Sequence, residues 1–99
     1  MASRLTLQEY FETLTDNVYF QPPVNIKMSY PAIRYQRTDI DNIFADDSPY
    51  HQERAYETTV IDKNPDSPIV DEIAKMPMSR FSRHYVADGL NHDVFIVYW

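Results

Sequence analysis

Two imidazoles and two carboxylates gather near the end of the chain, at His84, Asp88, His92 and Asp93. Side chains of these types hold zinc, manganese or iron, or pass protons as a general acid and base. A small metal-dependent hydrolase using His84, Asp88 and His92 is therefore one reading. The spacing opposes it. The four residues surround a turn centred on Asp88-Gly89-Leu90-Asn91, which places His84 and His92 on opposite arms of a hairpin, and whether they meet depends on strand register. No Gly-rich loop and no nucleophile signature accompanies them. None of Ser3, Ser29, Ser48, Ser79 and Ser82 stands in a nucleophile-elbow context. Turn-capping carboxylates with partly exposed histidines fit the pattern better. Arg80 and Arg83 beside His84 offer an anion contact, but abundant carboxylates make ion pairing their default. Asp39-Ile-Asp41 has the start of a calcium loop without its glycine or its distal glutamate. The sequence thus assigns no catalytic, cofactor-binding or metal residue and reads as a protein that is not an enzyme.

Composition narrows the classes further. The chain has 99 residues, enough for one domain over 1–99 with a single core. It has no cysteine, which excludes disulfides, iron-sulfur clusters and thiolate zinc sites. The start, Met1-Ala-Ser-Arg4, lacks the apolar centre of a signal peptide, and no run approaches the roughly 20 apolar residues of a membrane span. The expected location is the cytoplasm, or an assembly built there. The formal charge is -6, and Arg34, Arg37, Arg54, Arg80 and Arg83 are scattered among carboxylates in the sequence, which argues against tight nucleic-acid binding. One glycine, seven prolines and eight tyrosines describe stiff connections and many amphipathic contact residues.

These residues need a frame to hold them. Thr6-Leu-Gln-Glu9 has the form of a capping box, and Leu7, Tyr10, Phe11 and Leu14 at i, i+3, i+4 and i+7 predict an amphipathic helix ending at Thr15-Asp16-Asn17. Val18-Tyr-Phe20 reads as a short extended piece that Gln21-Pro-Pro23 breaks. From Tyr30-Pro31 the alternation predicts the first full strand, with Ile33 and Tyr35 facing inward. Arg54 to Lys63 predicts a second, with Tyr56, Thr58 and Val60 on one face and Thr59 and Ile61 on the other. Ser67 at an N-cap and Pro68 at the first helical position open a second helix whose stripe is Ile69, Ile73 and Met76, and Pro77 stops it. The last two strands flank the Asp88-Gly89 turn. In the final one Val94, Ile96 and Tyr98 alternate with Phe95, Val97 and Trp99, so both faces are apolar, as in a central strand. The expected fold is α+β, an antiparallel four-stranded sheet with two helices packed on one face, in the order α-β-β-α-β-β.

Between the first two full strands, Thr38 to Pro49 reads as an acidic loop holding Asp39, Asp41, Asp46 and Asp47 with Ile40, Ile43 and Phe44 interspersed. Apolar residues in a long acidic loop predict cover by another subunit. The same reasoning assigns the aromatic terminus, Trp99, to core or contact surface.

Several phrases carry a resemblance: Val18-Tyr-Phe-Gln-Pro-Pro23, Tyr30-Pro-Ala-Ile33, Asp41-Asn-Ile-Phe-Ala-Asp46, Val60-Ile-Asp-Lys-Asn-Pro-Asp-Ser67, Arg83-His-Tyr-Val-Ala-Asp88 and Leu90-Asn-His-Asp-Val-Phe95. Over nearly its whole length the chain resembles the small tail terminator, tail completion or tail-to-head joining proteins of long-tailed phages and prophages. The resemblance implies a helix-flanked antiparallel sheet assembling as a six-fold ring that caps the tail tube, stops its polymerisation and joins the tail to the head connector. Implied partners are further copies of the chain, the tail tube protein and the connector or stopper protein, with no membrane. The implied location is the head-proximal end of the tail in the virion, and a head-completion or stopper role is the nearest alternative. It transfers no catalytic residue. A closed ring needs two different complementary patches on each subunit. Ile40, Ile43, Phe44 and Trp99 are the expected interface residues, and Asp39, Asp41, Asp46 and Asp47 are expected to line a bore through which DNA passes without specific binding.

Overall fold

The computed structural model describes residues 4–22, 27–43 and 51–99, with the backbone alone for 39–43 and 51–53. The elements run α1 (Arg4–Glu12), β1 (Val18–Phe20), β2 (Ala32–Ile43), β3 (His51–Asp62), α2 (Pro68–Ala74), β4 (Ser79–Ala87) and β5 (Leu90–Tyr98).

The helices follow the apolar spacing. Leu7 and Phe11 of α1 are buried, with Tyr10 and Leu14 packed beside them. The helix begins at Arg4, ahead of the capping box, so Thr6 lies inside its first turn. Its hydroxyl instead accepts a hydrogen bond from the Trp99 indole Nε1, 2.9 Å away. A tertiary partner has taken the oxygen that a cap would use.

At α2 local chemistry prevails. The Ser67 Oγ accepts from the Ile69 amide at 3.3 Å and Pro68 occupies the first turn. Because Ser67 is buried, Ser67→Ala leaves that amide without an acceptor or water. The expected cost is about 1 kcal/mol of unfolding free energy, read from chemical denaturation.

The sheet departs from the expected one. It has five strands in the order β1-β2-β3-β5-β4, with β1 parallel to β2 and all other pairs antiparallel. The expectation of four antiparallel strands therefore fails at β1. Val18 to Phe20 is too short to show a period, and the two prolines after it make it read as a corner. Pairing comes from elsewhere in the chain: the Ile33 amide donates to the Asn17 carbonyl and the Gln21 amide to the Tyr35 carbonyl, both at 2.9 Å. The chain between β1 and β2 brings β2 back running the same way, which only a long connection permits.

A second departure lies at the acidic stretch. Strand β2 continues to Ile43, beyond a register shift between Arg37 and Asp39, so Asp39, Ile40, Asp41 and Ile43 belong to a strand and not to a loop. Phe44, Asp46 and Asp47 lie outside the described residues. Alternation of acidic with apolar residues is a strand signal, here outweighed in the sequence by the number of aspartates.

Both helices cover one sheet face. Ile33 and Tyr35 from β2, Tyr56 and Val60 from β3, and Phe95 and Val97 from β5 meet Leu7, Phe11, Ile69, Ile73 and Met76 in a single core. Tyr35 is its hub. Its ring lies 5.2 Å from Phe11, 4.9 Å from Phe20 and 5.9 Å from Tyr56, mostly in tilted or edge-to-face arrangements. Its hydroxyl donates to Gln8 Oε1 and accepts from Arg4 Nη1 at 3.1 Å. Burial pushes the Tyr35 phenol above its ordinary value, with the Arg4 hydrogen bond and charge pulling the other way.

Candidate functional site

The turn cluster is resolved by register. Asp88 and Gly89 have φ of 53° and 75° and are closed by the Ala87 and Leu90 pair, the signature of a tight hairpin turn with both central residues left-handed. His84 then faces Asp93 across the strands, and its Nε2 lies 3.3 Å from Asn91 Oδ1. His92 faces Tyr85 on the other side of the sheet, its ring stacked on the phenol ring at 4.6 Å and 12°, with Nδ1 3.0 Å from the Leu90 carbonyl. One residue of offset puts the two imidazoles on opposite faces. Among the described residues, no three His, Asp or Glu side chains are grouped as metal ligands. The four side chains of this cluster therefore do not converge on one centre.

Asp93 is the perturbed member. Burial raises its carboxyl above the ordinary 3.8, while the positive charges of His84 and His92 pull it partly back. A raised carboxyl binds its proton more tightly in the fold than in the unfolded chain, so stability falls as pH rises from below 3.8 through the folded value. The ionised carboxylate is thus a burden near neutrality. Asp93→Asn is expected to raise Tm at about pH 7, and the gain should vanish at about pH 3, where both states are protonated. A variant less stable than wild type at neutral pH would show that the charge is compensated.

The long hairpin β2–β3 has a different character. Beyond Ala55, which pairs with Tyr98, the ladder continues through Ile40 with Arg54, Asp41 with Glu53, Asn42 with Gln52 and Ile43 with His51. Arg54 still exchanges backbone hydrogen bonds with Trp99. Past it, among the described residues, no third strand flanks the ribbon. The molecule measures 51 × 24 × 22 Å, long in one direction only. A two-stranded ribbon in water is marginal by itself. Ile40 and Ile43, expected in an interface, fall on its β2 strand, whereas Trp99 packs against its own core and α1.

A second incomplete element is β4. It is the sheet edge beside β5, and seven of its nine residues, Arg80 to Val86, are exposed, so both of its faces are open. Phe81 is 53% exposed and Val86 62%, with Tyr85 and the preceding Met78 also open. Phe81 sits edge-to-face on Phe95 at 5.5 Å, which extends the apolar surface outward from the core. Sequence alternation cannot locate an edge, because an edge and an interior strand can share one period.

Register also assembles a group that the sequence leaves scattered. Arg4 at the start of α1, Arg37 on β2 and Arg54 on β3 line one cavity with Phe20, Gln21 and Tyr56, of about 300 Å³. The Arg4 guanidinium lies 4.2 Å above the Phe20 ring and is tied to Tyr35, so it is fixed in place. Gln21 holds a left-handed backbone at φ 45° while its Oε1 accepts from the Arg37 amide at 3.4 Å. Among the described residues, the cavity wall carries three guanidinium groups and no carboxylate. On the face away from the helices, a smaller depression of about 160 Å³ places Arg34 and Arg83 around Glu57, so the cations there have an acid in the same wall. No sequence signal links positions 4, 37 and 54. Only the folded arrangement brings them together.

Among the described residues, no helix is long and apolar enough to cross a membrane. Comparison with protein-family models, with curated proteins and with solved structures finds no match to this chain.

Proposed function

We propose that the chain is a structural subunit of a ring at the head-proximal end of a long-tailed phage tail, where it caps the tail tube and joins it to the head connector. The observation that carries this reading is the pair of incomplete β elements: a ribbon that outruns its sheet at one place, and an edge strand open on both faces at another. Two different unfinished surfaces on one subunit are what a heterologous contact requires, and such contacts close into rings when the rotation permits. The ribbon of one copy lies against the β4 edge of the next, covering Phe81 and Val86 and giving the ribbon a third strand. The viral context of this proposal rests on the resemblance of the sequence phrases, from Val18-Tyr-Phe-Gln-Pro-Pro23 to Leu90-Asn-His-Asp-Val-Phe95.

In this reading the protein acts by recognition, with no bond made or broken. It binds the last ring of tail tube protein, blocks further addition, and presents a new face to the connector or stopper protein. Six copies form the ring. From the sequence alone, the acidic stretch holding Asp39, Asp41, Asp46 and Asp47 is the part proposed for the bore, because negative charge there would repel the DNA backbone and let it pass without sticking.

Electron microscopy of particles from a phage lacking this protein is the test. Overlong or variable tails lying free of filled heads are the expected result. Tails of normal length beside unjoined heads would assign the protein to head completion, and normal infectious particles would refute a role in the virion.

A further inference from the structure

We infer that the cavity formed by Arg4, Arg37 and Arg54 is a binding site for a compact, multiply charged oxyanion of the phosphate class. This inference stands independently of the ring reading.

The argument begins with charge. The chain carries 15 acidic residues against nine Lys and Arg, so a surface arginine has many acids available for pairing. Three of those nine cations nevertheless share one cavity with no carboxylate among its described lining residues. The one ion pair among the described residues joins Lys75 to Glu72, elsewhere on the surface. Like charges gathered in a recess repel one another, and an anion of charge two or more relieves that repulsion where a single carboxylate leaves most of it.

Hydrogen bonding gives a second, separate observation. The Nε of Arg54 is closed off from solvent and has no hydrogen-bond partner. A desolvated donor on a charged group is costly unless an acceptor or counter-charge arrives. Arg54 and Arg37 make no side-chain hydrogen bond or ion pair among the described residues.

Preorganisation is the third element. Arg4 is held by Tyr35 and by the face of Phe20, and Tyr35 is held in turn by Gln8. Arginine's flat fork recognises phosphate oxygens two at a time, and a fork already fixed loses little freedom on binding. Buried Tyr56 contributes an apolar wall and Gln21 a further polar group at the rim. The volume of about 300 Å³ is at the small end of ligand cavities, which suits a pyrophosphate or a small phosphate ester.

Titrating the whole protein with inorganic pyrophosphate at low ionic strength tests this directly, with calorimetry for affinity and amide NMR for location. Saturable binding is expected, with shifts confined to α1, Gln21, Arg37 and Arg54, and it should weaken as salt is added. Arg37→Gln removes an exposed side chain that no packing depends on, so the fold survives, and binding should fall about tenfold or more. Arg80→Gln, on exposed β4 and outside the cavity, should leave the affinity as it was. Absence of saturable binding, or equal losses in the Arg37 and Arg80 variants, overturns the site. Sedimentation of the same samples separates the source of the anion: an assembly state, monomer or ring, that pyrophosphate leaves unchanged supports a free oxyanion. Self-association that pyrophosphate reverses would show that the cavity instead receives acidic side chains of a second copy, and would overturn the inference.

Discussion

Tyr35→Ala is expected to lower the unfolding free energy by about 3 to 5 kcal/mol, as for other large aromatic truncations in a core. A domain of this size is stable by only about 5 to 15 kcal/mol, so the variant should be largely unfolded near its former working temperature. The effect is large because the ring is fully buried and is shared by three aromatic neighbours from three elements, Phe11 on α1, Phe20 on β1 and Tyr56 on β3. Removing it opens a cavity that those rings cannot jointly fill. Tyr35→Phe separates packing from polarity. It keeps the ring and deletes the hydroxyl between Gln8 and Arg4, with an expected cost of about 1 to 3 kcal/mol. Urea unfolding followed by far-UV and near-UV circular dichroism measures both. A shift of the midpoint at constant slope is the expected signature. If Tyr35→Ala costs under about 1 kcal/mol, the hub assignment is wrong.

Val86→Lys is expected to abolish ring formation while leaving the subunit folded. At 62% exposure, Val86 contributes little to its own core, and surface substitutions of this kind change stability by about 0.5 kcal/mol or less. A lysine on an edge strand, in contrast, is a natural block to strand addition, since pairing would bury its charge against the incoming chain. The proposal that a neighbouring ribbon covers β4 therefore predicts a clean separation. Wild-type protein should sediment as a closed ring, and the variant as a monomer with an unchanged Tm. Tails assembled with the variant should be unregulated in length. A ring that persists with lysine at 86 would move the subunit contact away from β4.

The amino-acid sequence was enough to identify the apolar helix stripe through Leu7, Tyr10, Phe11 and Leu14, the Ser67 cap with Pro68, the inward face of β2, the two-face alternation of β3, and the turn at Asp88-Gly89. Each of these depends on neighbours within a few positions along the chain, through helical or strand periodicity or through a left-handed backbone at a tight turn. It also indicated that β5 is an interior strand, because apolar residues on both faces need cover on both. Other features required contacts between distant segments. The parallel pairing of β1 depends on backbone hydrogen bonds from β2, which a three-residue strand cannot advertise. Thr6 spends its hydroxyl on Trp99, at the far end of the chain, and so the capping box does not cap. His84 and His92 fall on opposite faces because the hairpin register, with a shift between Phe81 and Arg83, determines which side chains share a side. Arg4, Arg37 and Arg54 become one cavity by the same means. Local periodicity selects elements and their buried faces. Which distant charges become neighbours is decided by register and packing, since a change of one residue in strand pairing turns every side chain to the other face.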